Sequence, residues 1–259
     1  MDAIVDWDRD TPQWLAVLAA AGGCGSVPAP LHNALWPLYG PLTPAKSGED
    51  FIIGQLGQSL DGRIATPTGH SHYINGKAAI VHLHRLRALV DAVVVGIGTV
   101  VADDPQLNVR HAAMNKGTLP PARVVIDPSG RLASTAKCLT EDGARRIVLR
   151  GMGADHVSVS GVETLHVPSA GGMKPADILA ALRGNGLRRI LVEGGAHTLS
   201  RFLQAGCLNR LHIMTAPMII GSGPIGLHLA DIDNLSAALR PRVASFALPE
   251  GDILFDCAF

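Results

Sequence analysis

The segment Ala92-Val93-Val94-Val95, running into Gly96-Ile97-Gly98, constrains this chain more than any other. It is wholly apolar, mostly β-branched and too short for a helix, with no polar position for a solvated face. Such a run is stable as a strand covered on both sides, which is the situation of strands in parallel sheets flanked by helices. Related runs recur at Phe51–Leu56, Arg123–Ile126, Arg146–Leu149, Glu163–Val167, Arg189–Val192 and Leu211–Ala216. Helix-like stretches lie between several of them. Asn75 stands where it can cap a helix to about Val90, Pro175 opens one to about Arg183, and Ala196–Ala205 reads as a third. Near the C-terminus, Val243–Ala247 and Asp252–Cys257 read as strands with no helix between them. The expected class is therefore α/β: a mostly parallel central sheet flanked by helices, with an antiparallel C-terminal edge.

Residues 1–48 read differently. Thr11-Pro12 can cap and open a short helix through Ala21. The stretch after Ala21 is broken by Pro28, Pro30, Pro37, Pro41 and Pro44 and reads as an extended arm or linker, either an interaction arm or a degenerate remnant. The expected organisation is an N-terminal helix with a proline-rich arm over 1–48 and one domain over 49–259, without internal repeats.

Composition removes several function classes. With 259 residues, 47% of them hydrophobic, the chain can bury one sizeable core. A formal net charge of zero without a long basic run gives nucleic acid or an anionic membrane no electrostatic handle, and 4% aromatics leave little for base stacking. Cys24, Cys138, Cys207 and Cys257 are widely spaced, which fits a reducing cytoplasm better than a zinc cluster or disulfide scaffold. No apolar stretch approaches the ~18 residues of a spanning helix. The start, with Asp2, Asp6, Trp7 and Asp8, is not that of a secretory signal.

Four constellations carry possible chemistry. Ser59-Leu60-Asp61-Gly62-Arg63-Ile64-Ala65 follows a strand and contains a turn dipeptide; alone it is also an ordinary surface turn. Ser71-His72-Tyr73-Ile74-Asn75 leads into a helix whose buried stripe is marked by Ile80, Leu83 and Val90. Arg87 falls on that stripe, so it either snorkels past the helix end or meets an anion such as a phosphate. Next, the run from Val93 continues through Thr99 to Asp103-Asp104-Pro105, with Arg110 beyond; the acids are either a solvated turn or a proton-transfer group. Finally, Ile190-Leu191-Val192-Glu193-Gly194-Gly195-Ala196-His197 ends a strand in an acid, two glycines and a helix start, a natural anion site. The pairs His70/His72 and His82/His84 lack a third ligand, so no metal is expected, and no serine lies in a nucleophile elbow.

Taken together, S-L-D-G-R-I-A (59–65), H-R-L-R-A (84–88), V-G-I-G-T-V-V-A-D-D-P-Q-L-N-V-R (95–110), R-V-V-I-D (123–127) and L-V-E-G-G (191–195) resemble the reductase domain of the bifunctional riboflavin-biosynthesis deaminase-reductase. The resemblance covers about Phe51 to Phe259 and makes 49–259 a pyrimidine reductase domain. It implies a dihydrofolate-reductase-like fold with nine strands, usually a homodimer. It also implies NADPH as cofactor and 5-amino-6-(5-phosphoribosylamino)uracil, or its diaminopyrimidine counterpart, as substrate. Carried over by residue, Ser71, Arg87, Leu107, Arg110 and Glu193 are implied substrate contacts, with the two arginines on the ribose phosphate. Gly57, Tyr73, Thr99, Asp103, Gly195, Ala196, His197 and Thr198 are implied cofactor contacts. Asp103 and Glu193 are the acids expected beside the reacting atoms. Ser129, Arg131 and Arg150 are candidates for the cofactor's 2′-phosphate.

Three departures stand out. The H-x-E and P-C-x-x-C deaminase signature is absent from the sequence. The lysine common in bacterial members before the S-L-D-G-R turn is Gln55, which makes Gln55 a candidate for reading the pyrimidine. An aromatic position after Ser71, often tryptophan, is Tyr73. Two other readings compete: a dihydrofolate- or pteridine-type reductase, against which Arg87 and Arg110 argue, and a non-catalytic binding module derived from the reductase, against which Thr99, Asp103 and Glu193 argue.

Overall fold

The computed structural model describes residues 7–23, 33–43, 49–153 and 159–259. The expectations attached to Asp2, Asp6, Cys24, Pro28, Pro30 and Pro44 lie outside the described residues. In chain order the elements are α1 (Pro12–Ala21), α2 (Trp36–Tyr39), β1 (Phe51–Ser59), α3 (Lys77–Leu89), β2 (Ala92–Gly96), α4 (Ile97–Asp103), β3 (Ala122–Ile126), β4 (Arg146–Gly151), β5 (Val162–Val167), α5 (Pro175–Gly184), β6 (Arg189–Glu193), α6 (Ala196–Gln204), β7 (Arg210–Ala216), β8 (Arg242–Ala247) and β9 (Ile253–Ala258).

The nine strands form one sheet in the order β5-β4-β3-β2-β6-β1-β7-β9-β8. Pairings from β5 through β7 are parallel, while β9 runs antiparallel to both β7 and β8. This is the expected α/β class with its antiparallel C-terminal edge. Strand alternation splits the core into two layers. Val93 and Val95 face a layer with Ile53, Leu86, Leu191 and Leu254; Ala92 and Val94 face one with Ile178, Leu182, Leu199 and Phe202. Thus α3 and α4 cover one face, and α5 and α6 the other. The wholly buried β2 explains why its sequence is apolar throughout.

The structure corrects two expectations. Residues 33–43, part of the stretch expected to be an extended arm, are packed instead, together with the helix before them. Trp7, Trp14, Val17, Leu18, Leu35, Leu38, Tyr39 and Leu42 are buried in the α3 layer of the core. Thr11 does cap α1, its side chain accepting from the Trp14 amide. Asn75, in contrast, does not cap α3. The cap is Gly76, whose amide donates to Asp252 Oδ2 at 2.6 Å, while Asn75 Nδ2 donates to Asp252 Oδ1 at 3.3 Å. Asp252, buried in the β8–β9 turn, supplies the oxygen that the helix entry needs. The stripe on α3 is also less uniform than its spacing suggests, because Ile80 is exposed and turns into a cleft at the ends of the central strands.

Candidate active site

Glycines let the chain close tightly at the C-terminal ends of the central strands. Gly195, between β6 and α6, has φ 65°, and a Cβ there would stand 2.7 Å from Thr99 Oγ1 on α4. A Cβ on Gly57 of β1 would stand 2.2 Å from Asn75 Oδ1. A side chain at either place would displace Thr99 or Asn75, and at Gly195 the positive φ disfavours one as well, so main-chain groups approach the space between them. That space is a cleft of about 590 Å³ beyond the ends of β1 and β6. Ligands of open α/β sheets gather in such positions.

The cleft brings together Gln55, Gly57, Ser71, Tyr73, Thr99, Asp103 and Gly195. It does not include Arg87, Leu107, Arg110, Glu193, Ala196, His197 or Thr198 among its lining residues. Thr198 instead lies across from Gly96, where an added Cβ would meet its Oγ1 at 2.4 Å. Leu107 has φ 56° and a fully buried side chain in the core, so it can present only main chain to a ligand. Tyr73 combines φ 66° with 86% exposure. A non-glycine residue in the left-handed region, at the rim of a cleft and with almost no packing of its own, is held by the loop around it.

The paired acids separate by role. Asp104, at φ 39°, closes α4; its carboxylate accepts from Lys137 N at 2.8 Å and pairs with Lys137 Nζ at 3.3 Å. The hydrogen bond from the Lys137 amide is the main reason its pKa is lowered. Asp103 faces the cleft, and Ser71 Oγ donates to its Oδ1 at 3.2 Å. Asp61 of the S-L-D-G-R turn has a structural task. It accepts from Ser59 Oγ at 2.6 Å, Ile220 N at 3.0 Å and Gly221 N at 2.7 Å. These bonds, led by that of Ser59, hold its carboxyl down at about 2 and fix the loop that brings Pro224 to the cleft.

Arg87 does have an anionic partner, but within the protein. Its guanidinium meets Glu193 through Nε–Oε1 and Nη2–Oε2, each 2.6 Å, and its Nη1 donates to the Asn108 carbonyl at 2.9 Å. Both side chains are 7% exposed. The expected anionic partner of Arg87 is here Glu193, at the end of β6, close enough to take both nitrogens. Arg110 donates to the side-chain oxygens of Gln106 and Asn108, neither of them charged. Its backbone amide donates to His84 Nδ1 at 2.9 Å. Burial, then Arg87 and the other nearby cations, pushes His84 down to about 3, so the ring stays neutral and keeps this acceptor.

No group of three metal-ligating side chains occurs among the described residues. His82 lies inside the core, bonded to Tyr39 Oη at 2.7 Å and to His212 Nδ1 at 3.1 Å. Of the candidates for a 2′-phosphate, Arg150 is excluded by its burial and its ion pair with Asp127. The Asp127 carboxylate also accepts from Arg131 N and Leu132 N, which presents Ser129 and Arg131 on an exposed turn after β3. No helix among the described residues is long and apolar enough to cross a membrane.

The riboflavin biosynthesis protein RibD of Aquifex aeolicus is 35% identical over 176 residues, 67% of this chain and 48% of that protein. The chain thus spans about half the length of that relative. The 2,5-diamino-6-ribosylamino-4(3H)-pyrimidinone 5′-phosphate reductase of Methanothermobacter thermautotrophicus is 32% identical over 196 residues, 73% of this chain and 89% of that enzyme. Among solved structures, Acinetobacter baumannii RibD matches with a TM-score of 0.70 at 28% identity, covering 88% of this chain and 64% of that one. The riboflavin biosynthesis reductase Rib7 of Saccharomyces cerevisiae shares the fold, with a TM-score of 0.67 at 20% identity, over 87% of this chain and 99% of that one. The RibD C-terminal domain family matches residues 50–246, and the chain belongs to that family.

Proposed function

We propose that this protein reduces the ribosyl group of a 5-amino-6-(5-phosphoribosylamino)pyrimidine to the ribitylamino product in riboflavin biosynthesis, with NADPH as reductant. The observation that carries the reading is Asp103. It is a carboxylate held by Ser71 in a cleft that the glycine turn before α6 also lines. The residues present suit a dinucleotide: Gly57, Gly194 and Gly195 line the cleft without side chains, so a pyrophosphate can approach the main chain there. When bound, the reduced nicotinamide supplies a hydride to the former anomeric carbon of the opened sugar. The protein's part is to hold both partners in register and to handle a proton. Asp103 is the group placed to hold or move that proton, with Ser71 fixing its orientation. Arg110 is the cation proposed for the ribose phosphate, and Gln55, projecting from β1, is proposed to face the pyrimidine.

The case against a pteridine-type reductase rests on Arg110, since Arg87 is paired with Glu193. A homodimer in a reducing cytoplasm belongs to the same proposal. It is supported by β8, an edge strand with Val243 55% exposed, and size-exclusion chromatography tests it. The deciding experiment is turnover of the purified protein with NADPH and each candidate pyrimidine, with and without the 5-phosphate. Reduction of a phosphoribosyl form, and loss of activity on the dephosphorylated form, is the expected result. Equal activity on dihydrofolate would sink the proposal.

A further inference from the structure

The N-terminal segment touches the loop that follows Arg110. Asp10 Oδ1 accepts from Ala113 N at 2.8 Å, Trp14 Nε1 donates to Ala113 O at 3.3 Å, and Asn115 Nδ2 donates to Leu18 O at 2.7 Å. From the other side, Arg85 of α3 donates to the carbonyl of Asp8 and lies over the Trp14 ring, 5.3 Å from its centroid. The loop 110–115 is therefore held between α3 and the N-terminal segment, and Arg9 is fixed in place by the anchoring of both its neighbours.

Arg9 is exposed, its side chain 61% accessible, and its ion pair is with the adjacent Asp10 at 3.5 Å. Other basic side chains lie by the same loop. The His111 ring meets that of His84 edge-on at 4.8 Å, and His84 holds the Arg110 amide. Arg9, Arg87, Arg110 and His111 are all near enough to His84 to oppose its protonation. Arg110 itself is lowered from its ordinary value, by burial and then by Arg87. Glu193 is taken up by Arg87, and Asp10 is shared between Arg9 and an amide. Cations brought together in this way repel unless an anion joins them, and a phosphate offers three acceptor oxygens.

We propose that the N-terminal segment completes an anion site, with Arg9 joining Arg110 and His111 in binding the terminal phosphate of a phosphate-monoester substrate. The proposal rests on the phosphoribosyl reading and adds to it a residue from outside the stretch 50–246 that the family matches. It gives residues 7–23 a second task besides filling the core: they fix the Arg110 loop and bring a charge to it.

The test is titration of the full chain with ribose 5-phosphate, read by ligand-observed NMR, with ribose as control. Arg9→Gln should weaken ribose 5-phosphate by about three- to tenfold, the scale of an exposed charge contact, and leave ribose and NADPH binding unchanged. Arg9→Lys should restore most of the loss, which separates a charge contact from a loosened segment. If Arg9→Gln binds like wild type while Arg110→Gln does not, the inference about Arg9 is overturned and the phosphate reading stands. If Arg9→Lys fails to restore affinity, the charge contact is likewise overturned. Wild type binding ribose 5-phosphate no better than ribose overturns both.

Discussion

Arg87 and Glu193 form a buried, two-pronged ion pair that ties the last turn of α3 to the end of β6. The same guanidinium fixes the Asn108 carbonyl, so the pair also fixes the loop that carries Arg110. Removing one partner strands the other charge away from water. Arg87→Met or Glu193→Leu should each cost about 3–5 kcal/mol in urea unfolding. The double variant Arg87→Met/Glu193→Leu should cost clearly less than the sum of the two single changes. Additive losses would show that the two residues do not depend on each other.

Asp103 and Asp104 are adjacent but predict different phenotypes. Asp103→Asn keeps the hydrogen bond from Ser71 and loses the ionisable group, so turnover should fall well before the Michaelis constants change. Asp104→Asn touches the Lys137 contact instead and should leave turnover nearly intact. Single-turnover hydride transfer, followed by nicotinamide absorbance, distinguishes them. Equal effects of the two changes would remove Asp103 from its assigned role.

The buried histidines set an acid limit. His84 is depressed from 6.5 to about 3, while His82 and His212 are also lowered, chiefly by burial. Below pH 6.5 the unfolded chain takes up protons that the folded chain refuses, so unfolding becomes easier as pH falls. For His84 the contribution is complete above about pH 6.5 and is lost progressively toward pH 3. His84→Gln keeps an acceptor for the Arg110 amide and removes one such proton. Urea midpoints of the variant should therefore fall less steeply between about pH 6.5 and 4 than those of wild type; parallel curves would contradict the assignment.

Cofactor preference is expected to depend on Arg131. With Arg150 tied to Asp127, Arg131 is the exposed cation on the turn after β3. Arg131→Ala should raise the Michaelis constant for NADPH and leave that for NADH unchanged, losing roughly 1–3 kcal/mol of discrimination if the contact is a charge-assisted one. A variant with the same ratio of specificity constants as wild type would place 2′-phosphate recognition elsewhere.

How much of the molecule is legible in its sequence depends on how local each cause is. The run at Ala92 is a strand in any α/β context, and β1 through β9 all lie where apolar runs place them, within a few residues. The requirement that Arg87 meet an anion is also local, because its helical position buries it. Which anion it meets depends on β6 returning beside α3, a long-range fact. Asn75 is not the cap of α3 for the same reason: Asp252, far along the chain, supplies the oxygen. The N-terminal segment reads as an arm because of its prolines, although a contrary signal is present. All three tryptophans of an aromatic-poor chain, Trp7, Trp14 and Trp36, lie there with Tyr39, and side chains of that size are rarely left in water.

Gln55 offers the sharpest test of substrate choice. It projects from β1 between Glu193 of β6 and His212 of β7 in the strand register, and it lines the cleft. A lysine at this position can only donate hydrogen bonds, which suits a pyrimidine carbonyl. An amide both donates and accepts, so its oxygen can also meet an exocyclic amine. Gln55 should therefore relax the preference for the uracil form and admit the diaminopyrimidine form. Steady-state kinetics with both phosphoribosylaminopyrimidines would compare wild type with Gln55→Lys. The lysine variant is expected to discriminate more strongly for the uracil form, by roughly tenfold for one hydrogen bond of about 1–1.5 kcal/mol. Because Gln55 stands in the middle of a central strand, thermal midpoints of the two proteins should be compared first. An unchanged ratio of specificity constants in a well-folded variant would mean that Gln55 donates its amide hydrogen to the same carbonyl a lysine would meet, and that the base is selected elsewhere in the cleft.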